Sequence, residues 1–437
     1  MRSMKKLPAL LAALLVSAPV LAADLLQVYR DALANDAQYA AARAVAEAGR
    51  EKLPQGRAGL LPVIGATANT TWNNNTFTGL DRTFNSNGYN VSLTQPLFRW
   101  QNYVQYGQAK LQVVQAEANF AQAKQDLILR VAQAYFDVLN AEENLRAVQA
   151  NKTAIAQQLE QAKKNFEVGT ATITDSHEAQ SRYDLAIAQE IAADSDLEVK
   201  RYALRLVVGK DSGALSPLKP KAVLTPPQPA SMGKWVDAAE KDSFAVQAQQ
   251  AAAEIADKEV ERNRAAHYPT LDVVANYGDS AAGASQLGGT SFDIVSRNIG
   301  LQLSIPIFQG GAVNSKTREA AANRDAALAT LDNARRSAAL GAQQSYLGVV
   351  NGLAQVRALE AALVSSMSAL DSNKLGYEVG VRINIDVLNA EQQVYSTQRD
   401  LVKARFDTLF AQLKLKAAVG ALGEDDLQLV NALFAAN

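Results

Sequence analysis

One stretch occurs twice, and it constrains the fold more than any other feature of the chain. Phe166-Glu-Val-Gly169 continues through Thr170 to Asp175, and Tyr377-Glu-Val-Gly380 continues through Val381 to Asp386, an offset of 211 residues. Each copy closes one long helical pattern and opens the next. Glycine after a helical run accepts a positive φ without steric cost. The aspartate six residues after each glycine is placed to cap or start the returning helix. Each copy therefore predicts the tip of a helical hairpin, and the chain is a repeat rather than a string of independent domains.

The flanking patterns are long. Between Gln101 and Glu167 there is no proline and a single glycine. Leu127, Val131, Ala134, Val138, Ala141, Leu145 and Val148 step by four and three, the spacing of a coiled-coil seam. A helix of that length spans roughly 100 Å at about 1.5 Å per residue, far more than a globular domain requires. A second long helix is expected over about 314–375, with returning helices over about 175–208 and 387–419.

Before each hairpin lies a pair of alternating stretches. In residues 63–72, Ile64, Ala66, Ala68 and Trp72 share one side; in residues 89–98, Val91, Leu93 and Leu97 do. The polar residues 73–88 between them predict a loop. The second repeat has strands over about 271–278 and 297–307, the latter with Ile299, Leu301, Leu303, Ile305 and Ile307 on one face. Leu303-Ser-Ile-Pro306-Ile-Phe308 matches Leu93-Thr-Gln-Pro96-Leu-Phe98. Strands of about ten residues are long enough to cross a membrane in a barrel.

The remaining segments fall between these. Residues 1–22 have a basic start (Arg2, Lys5, Lys6), an apolar run and a small-residue end, the pattern of a secretory signal peptide. No later run approaches 18 continuous apolar residues, so no transmembrane helix is expected. The first repeat covers 23–208 and the second 234–419, with one short helix expected over about 234–266. A proline-rich linker, 209–233, joins the repeats, and a tail of 420–437 follows. Without the signal, 40 basic residues face 44 acidic ones, a balance that argues against a nucleic-acid partner. The chain has no cysteine, which excludes disulfides and thiol chemistry. His177 and His267 stand 90 residues apart with no zinc-ligand spacing, and neither a nucleophile elbow nor a phosphate loop is present. No metal, cofactor or catalytic residue is indicated.

Four membrane strands cannot close a barrel, because the smallest outer-membrane barrels need about eight. An open edge in lipid leaves backbone groups unpaired at several kcal/mol each. The chain is thus expected to oligomerise around a shared barrel of about eight or twelve strands. The predicted fold is mainly α with a β membrane part.

This organisation resembles the TolC family of outer-membrane efflux and secretion channels across essentially the whole mature chain, most specifically at Tyr377–Ala390. The resemblance implies a homotrimer whose twelve-stranded barrel continues into a coiled-coil periplasmic tunnel, with the linker and tail forming an equatorial belt. It implies the outer membrane of a Gram-negative bacterium, contact with its lipid, a periplasmic adaptor protein, and an inner-membrane pump of RND or ABC type. The duct would be passive, conducting drugs, other small molecules or unfolded proteins.

The same resemblance assigns residues. Tyr377 and Arg382 would face Thr174 and Asp175 of a neighbouring chain and latch the periplasmic end shut; helix capping by Asp175 is the simpler role for that carboxylate. Asp386 would project into the pore, one turn before Asn389, where the family often has a second acid. N-capping of the following helix is the other role open to Asp386. Val168 and Gly169, with Val379 and Gly380, would meet the adaptor. A coiled-coil interaction or adhesin-like envelope protein without a pore is the alternative, and it has no need of the four alternating strands.

Overall fold

Uninterrupted helical propensity gives the molecule its length. In a computed structural model that describes residues 22–77, 80–220, 222–283 and 291–435, α4 (Trp100–Glu167) and α8 (Ala312–Glu378) run for 68 and 67 residues. α5 (Ile173–Val208) returns along α4, and α9 (Asn384–Ala418) along α8. The expected signal segment lies outside the described residues, except for Ala22.

Small side chains set the hairpin seams. Leu159 and Ala162 pack on Ala179 in the first hairpin, and Val356 on Leu401 and Ala404 in the second. Near the tips Leu388 of α9 joins Ile155 of α4 and Ala186 of α5, so the two hairpins share a core.

Polar caps divide what precedes each sheet. Asp24 and Asp36 accept backbone N–H bonds from Gln27 (2.7 Å) and Tyr39 (2.6 Å), starting α1 (Leu25–Asn35) and α2 (Ala37–Arg50). α3 (Lys52–Ala58) follows. In the second repeat the single helix expected over 234–266 is two helices. Ser243 accepts from Val246 N (3.3 Å), ending α6 (Met232–Asp242) and capping α7 (Phe244–Arg264).

The four strands form one antiparallel sheet in the order β1-β2-β3-β4: β1 (Val63–Phe77), β2 (Leu80–Phe98), β3 (Thr270–Ala282) and β4 (Phe292–Ser304). The register aligns Ile64, Leu93, Ala275 and Ile299 in one row, and Ala66, Val91, Tyr277 and Arg297 in the next. Leu271, Val273, Leu301 and Leu303 extend the same apolar face. The alternate residues Gly65, Ser92, Asn276 and Asn298 make a polar face, on which Asn276 Nδ2 donates to Asn298 Oδ1 (3.0 Å). β1 and β4 are the sheet's edges.

Two strand expectations need correction. Much of the stretch 73–88, read as a loop, is ladder: Asn73 pairs with Phe84 and Thr76 with Asp81. Polar side chains support it, Asn73 Nδ2 donating to Ser86 Oγ (2.9 Å) and Asn85 Nδ2 to Thr70 Oγ1 (2.8 Å). The strand expected over 297–307 starts at Phe292 and stops at Ser304. Its partner β3 begins at Thr270, opposite Ser304, and Pro306 has no N–H to extend a ladder, leaving Ile307 and Phe308 exposed.

Midway along the hairpins the burial of α4 widens from a seam to most of its circumference between Leu127 and Ala141. α1, the linker, the tail and α10 (Glu424–Asn431) cover it there. The linker and tail pair directly: Lys219 N donates to Leu433 O (3.1 Å) and Ala435 N to Pro217 O (2.9 Å). Phe434 stacks on Phe136 and meets Tyr135 edge-on. By length and composition a stretch of α8 would suit a bilayer, contrary to the expectation from continuous apolar runs, yet α8 lies along α9, α7 and α6 and most of that stretch is unburied in a single chain.

Candidate functional site

The tips follow from two equivalent carbonyls. Asn165 O accepts from Thr170 N (2.8 Å) and Ala171 N (3.2 Å), and Gly376 O, at the equivalent place in the second copy, accepts from Val381 N (2.9 Å) and Arg382 N (3.0 Å). Those closures require the left-handed conformation of Gly169 (φ 76°) and Gly380 (φ 79°). Val168, Gly169, Val379 and Gly380 are all exposed at the ends of the hairpins.

The returning helices start differently. α5 opens with a capping box, in which Asp175 N donates to Thr172 Oγ1 (3.3 Å) and Thr172 N to Asp175 Oδ2 (3.0 Å). α9 begins after Ile383 with no side-chain cap. Asp386 is therefore not its N-cap; it lies in the first turn, where a negative charge complements the helix dipole.

Within one chain the four latch residues do not meet one another across the tips. Asp175 is engaged in its own cap, and Thr174 is exposed. Tyr377 instead reaches the first hairpin through a residue the sequence did not mark, its hydroxyl accepting from Asn165 Nδ2 (3.0 Å). Arg382 lays its aliphatic stem over Gly376, where a Cβ would come within 2.7 Å of Arg382 Cγ, and brings its guanidinium to 3.7 Å from Asp386.

Asn389 has a partner too. Arg182 of α5 donates from Nη2 to Asn389 Oδ1 (2.9 Å) and from Nη1 to Gln392 Oε1 (2.8 Å). On the opposite face of α9, Glu391 is only 2% exposed, and Lys374 of α8 reaches its Oε1 at 3.0 Å. Burial, and then the Glu391 charge, push the nearby Tyr395 hydroxyl above its ordinary pKa. Outside the tips, a hydrogen bond from Lys152 holds Glu190 below its ordinary value across the first hairpin.

Among the described residues no group of three or more His, Cys, Asp or Glu side chains is placed to hold a metal. His267 pairs with Asn314 (3.2 Å), and His177 is exposed. The chemistry available is that of surfaces: a sheet with one apolar face, and tips held by hydrogen bonds and ion pairs.

A profile of outer membrane efflux proteins matches residues 28–210 and 235–421. The chain belongs to the outer membrane efflux protein family. It is 33% identical to the outer membrane protein TolC of Vibrio cholerae over 98% of each chain. It is likewise 33% identical to the alkaline protease secretion protein AprF of Pseudomonas aeruginosa, over 96% of this chain and 89% of that one. Its fold matches the crystal structure of the outer membrane protein VceC from Vibrio cholerae with a TM-score of 0.77 at 20% identity, covering 91% of this chain and 96% of that one. As a TolC-family efflux protein the chain is an outer-membrane transport component of a Gram-negative bacterium, its membrane part a sheet and its bulk periplasmic helix.

Proposed function

We propose that three copies of this chain form the outer-membrane exit duct of a tripartite efflux or type I secretion system. The observation that carries this is the sheet: four strands, apolar on one face and polar on the other, with both edges available for pairing. Such a sheet is costly in lipid until its edges are joined, and three copies supply the twelve strands of a closed barrel. The apolar face then meets outer-membrane lipid and the polar face lines the passage. The largely unburied apolar stretch of α8 gives neighbouring copies a surface to bury.

The helical hairpins carry the passage across the periplasm. Their exposed tips, Val168–Gly169 and Val379–Gly380, are the surface offered to an adaptor protein, which couples the duct to an inner-membrane pump of RND or ABC type. Tyr377 and Arg382 would close the periplasmic end against Thr174 and Asp175 of the next copy, with Asp386 bordering the narrowest part. Energy comes from the pump; the duct conducts drugs, other small molecules or unfolded proteins passively. Relatives named for protease secretion and a family described as efflux proteins support both kinds of cargo.

The test is the mass of detergent-purified protein by light scattering, together with its single-channel conductance in planar bilayers. Trimers that give discrete steps are expected. Monomers without steps would favour the poreless coiled-coil reading.

A further inference from the structure

α9 presents Asp386, Asn389 and Gln392 at three-residue intervals on its solvent-facing side, while Val387, Leu388 and Glu391 fill the buried side. Two arginines serve that exposed row. Arg382 stands 3.7 Å from Asp386. Arg182, arriving from α5, grips Asn389 (2.9 Å) and Gln392 (2.8 Å) with its two terminal nitrogens. Its one acidic neighbour in this group is Glu178, at 3.6 Å. Glu391 is paired with Lys374 inside the second hairpin and adds no net charge to the row; Asp175 keeps its charge but is held in its capping box at the start of α5, off the α9 row.

The balance is unusual for a cation-selective constriction. A ring of unpaired carboxylates attracts cations. Here Asp386 is matched by Arg382 and Glu178 by Arg182, and the two remaining positions are neutral amides. An arginine held at two points keeps its positive charge in one place. Charges closer than the Debye length, about 8–10 Å at physiological salt, act on a passing ion as a sum.

We propose that Arg182 sets the charge of the constriction: clamped on Asn389 and Gln392, it places beside the row a positive charge that offsets Glu178 as Arg382 offsets Asp386, so that the duct passes anionic and neutral cargo about as readily as cationic cargo. This rests on the reading that the exposed row of α9 borders the narrow end of the passage. It makes Arg182 a specificity residue that neither the tip motif nor the family match points to.

The measurement is the reversal potential of the purified trimer in planar bilayers under a KCl gradient. The wild type is expected to show a K⁺/Cl⁻ permeability ratio within about threefold of one, and Arg182→Gln to raise it by about threefold or more. Arg182→Lys, which keeps the charge and loses the fork, is expected to hold the ratio near that of the wild type. Asn389→Asp should raise the cation preference less in the wild type than in Arg182→Gln, because Arg182 would pair with the new carboxylate. A wild type that prefers K⁺ by about tenfold or more, or Arg182→Gln with an unchanged ratio, would overturn the proposal. Trimers of the wild type that conduct no ions would instead overturn the duct reading on which it rests.

Discussion

Arg99 folds over Asp272 and holds it through two parallel hydrogen bonds, Nε to Oδ1 at 2.8 Å and Nη2 to Oδ2 at 2.6 Å. Arg99 lies between β2 and α4 of the first repeat; Asp272 is the third residue of β3 in the second. The pair fixes where the sheet of one repeat meets the helix of the other. The burial is asymmetric, with side-chain exposures of 40% for Arg99 and 8% for Asp272. Arg99→Ala strands a buried carboxylate and is expected to cost about 3–5 kcal/mol, whereas Asp272→Asn leaves an arginine that water can reach and is expected to cost about 1–3 kcal/mol. Denaturant unfolding of the detergent-solubilised protein checks this, and equal losses would show that the pair does not carry the junction.

The Asn165–Tyr377 bond ties the two tips together within a chain, and Arg382 packs on Gly376 beside it. A neutral hydrogen bond of this kind contributes about 0.5–1.5 kcal/mol, and in the proposed trimer three copies would act on one opening. Tyr377→Phe combined with Arg382→Ser is therefore expected to raise single-channel conductance in planar bilayers. Unchanged conductance would sink the latch while leaving the pore intact.

Lys374 and Glu391 form the ion pair inside the second hairpin, and only the lysine is partly in water, with side-chain exposures of 45% and 3%. Glu391 Oε2 has no hydrogen-bond partner among the described residues. Lys374→Ala leaves the carboxylate buried alone and is expected to destabilise by about 3–5 kcal/mol, while Glu391→Leu, which removes the charge, should be close to neutral. If thermal unfolding ranks these two variants the other way round, the pair is not what holds α8 to α9 near the tip.

Periodicity made the hairpins and the faces of the strands legible, because both are local patterns. It failed where partners are remote or the pattern is polar. β1 and β2 continue past the apolar band on Asn, Thr and Ser, which carry no hydrophobic alternation to read. Pro96 and Pro306 occupy matching sequence positions, yet β2 continues through a register shift between Pro96 and Phe98 while edge strand β4 stops at Ser304. The difference lies in pairing: β3 stays beside β2 as far as Phe98, whereas β3 begins at Thr270, opposite Ser304, and leaves β4 no partner beyond it. Asn165 and Arg182 were invisible for another reason, since their partners lie 212 and 207 residues away. Glu391 did leave a signal: a carboxylate on the buried period of Val387 and Leu388 marks either a paired charge or a break in the helix.

The packing of the linker and tail on α4 rests on Tyr135, whose hydroxyl donates to Ser216 O (3.0 Å) and Ala23 O (3.2 Å) beneath the edge of Phe434. Tyr135→Phe takes the side-chain donor from a buried carbonyl and is expected to cost about 1–3 kcal/mol at neutral pH. Burial raises the Tyr135 hydroxyl above the ordinary tyrosine value of 10.0. The unfolded chain therefore loses this proton first as pH rises past about 10, binds fewer protons than the folded chain, and is favoured increasingly. The stabilising effect of the Tyr135 hydroxyl is full below that pH and declines above it. Thermal unfolding of both proteins between about pH 8 and pH 11 should show the wild type losing its advantage over Tyr135→Phe at the alkaline end. A constant difference across the range would mean that this hydroxyl is not sealed beneath the linker and tail.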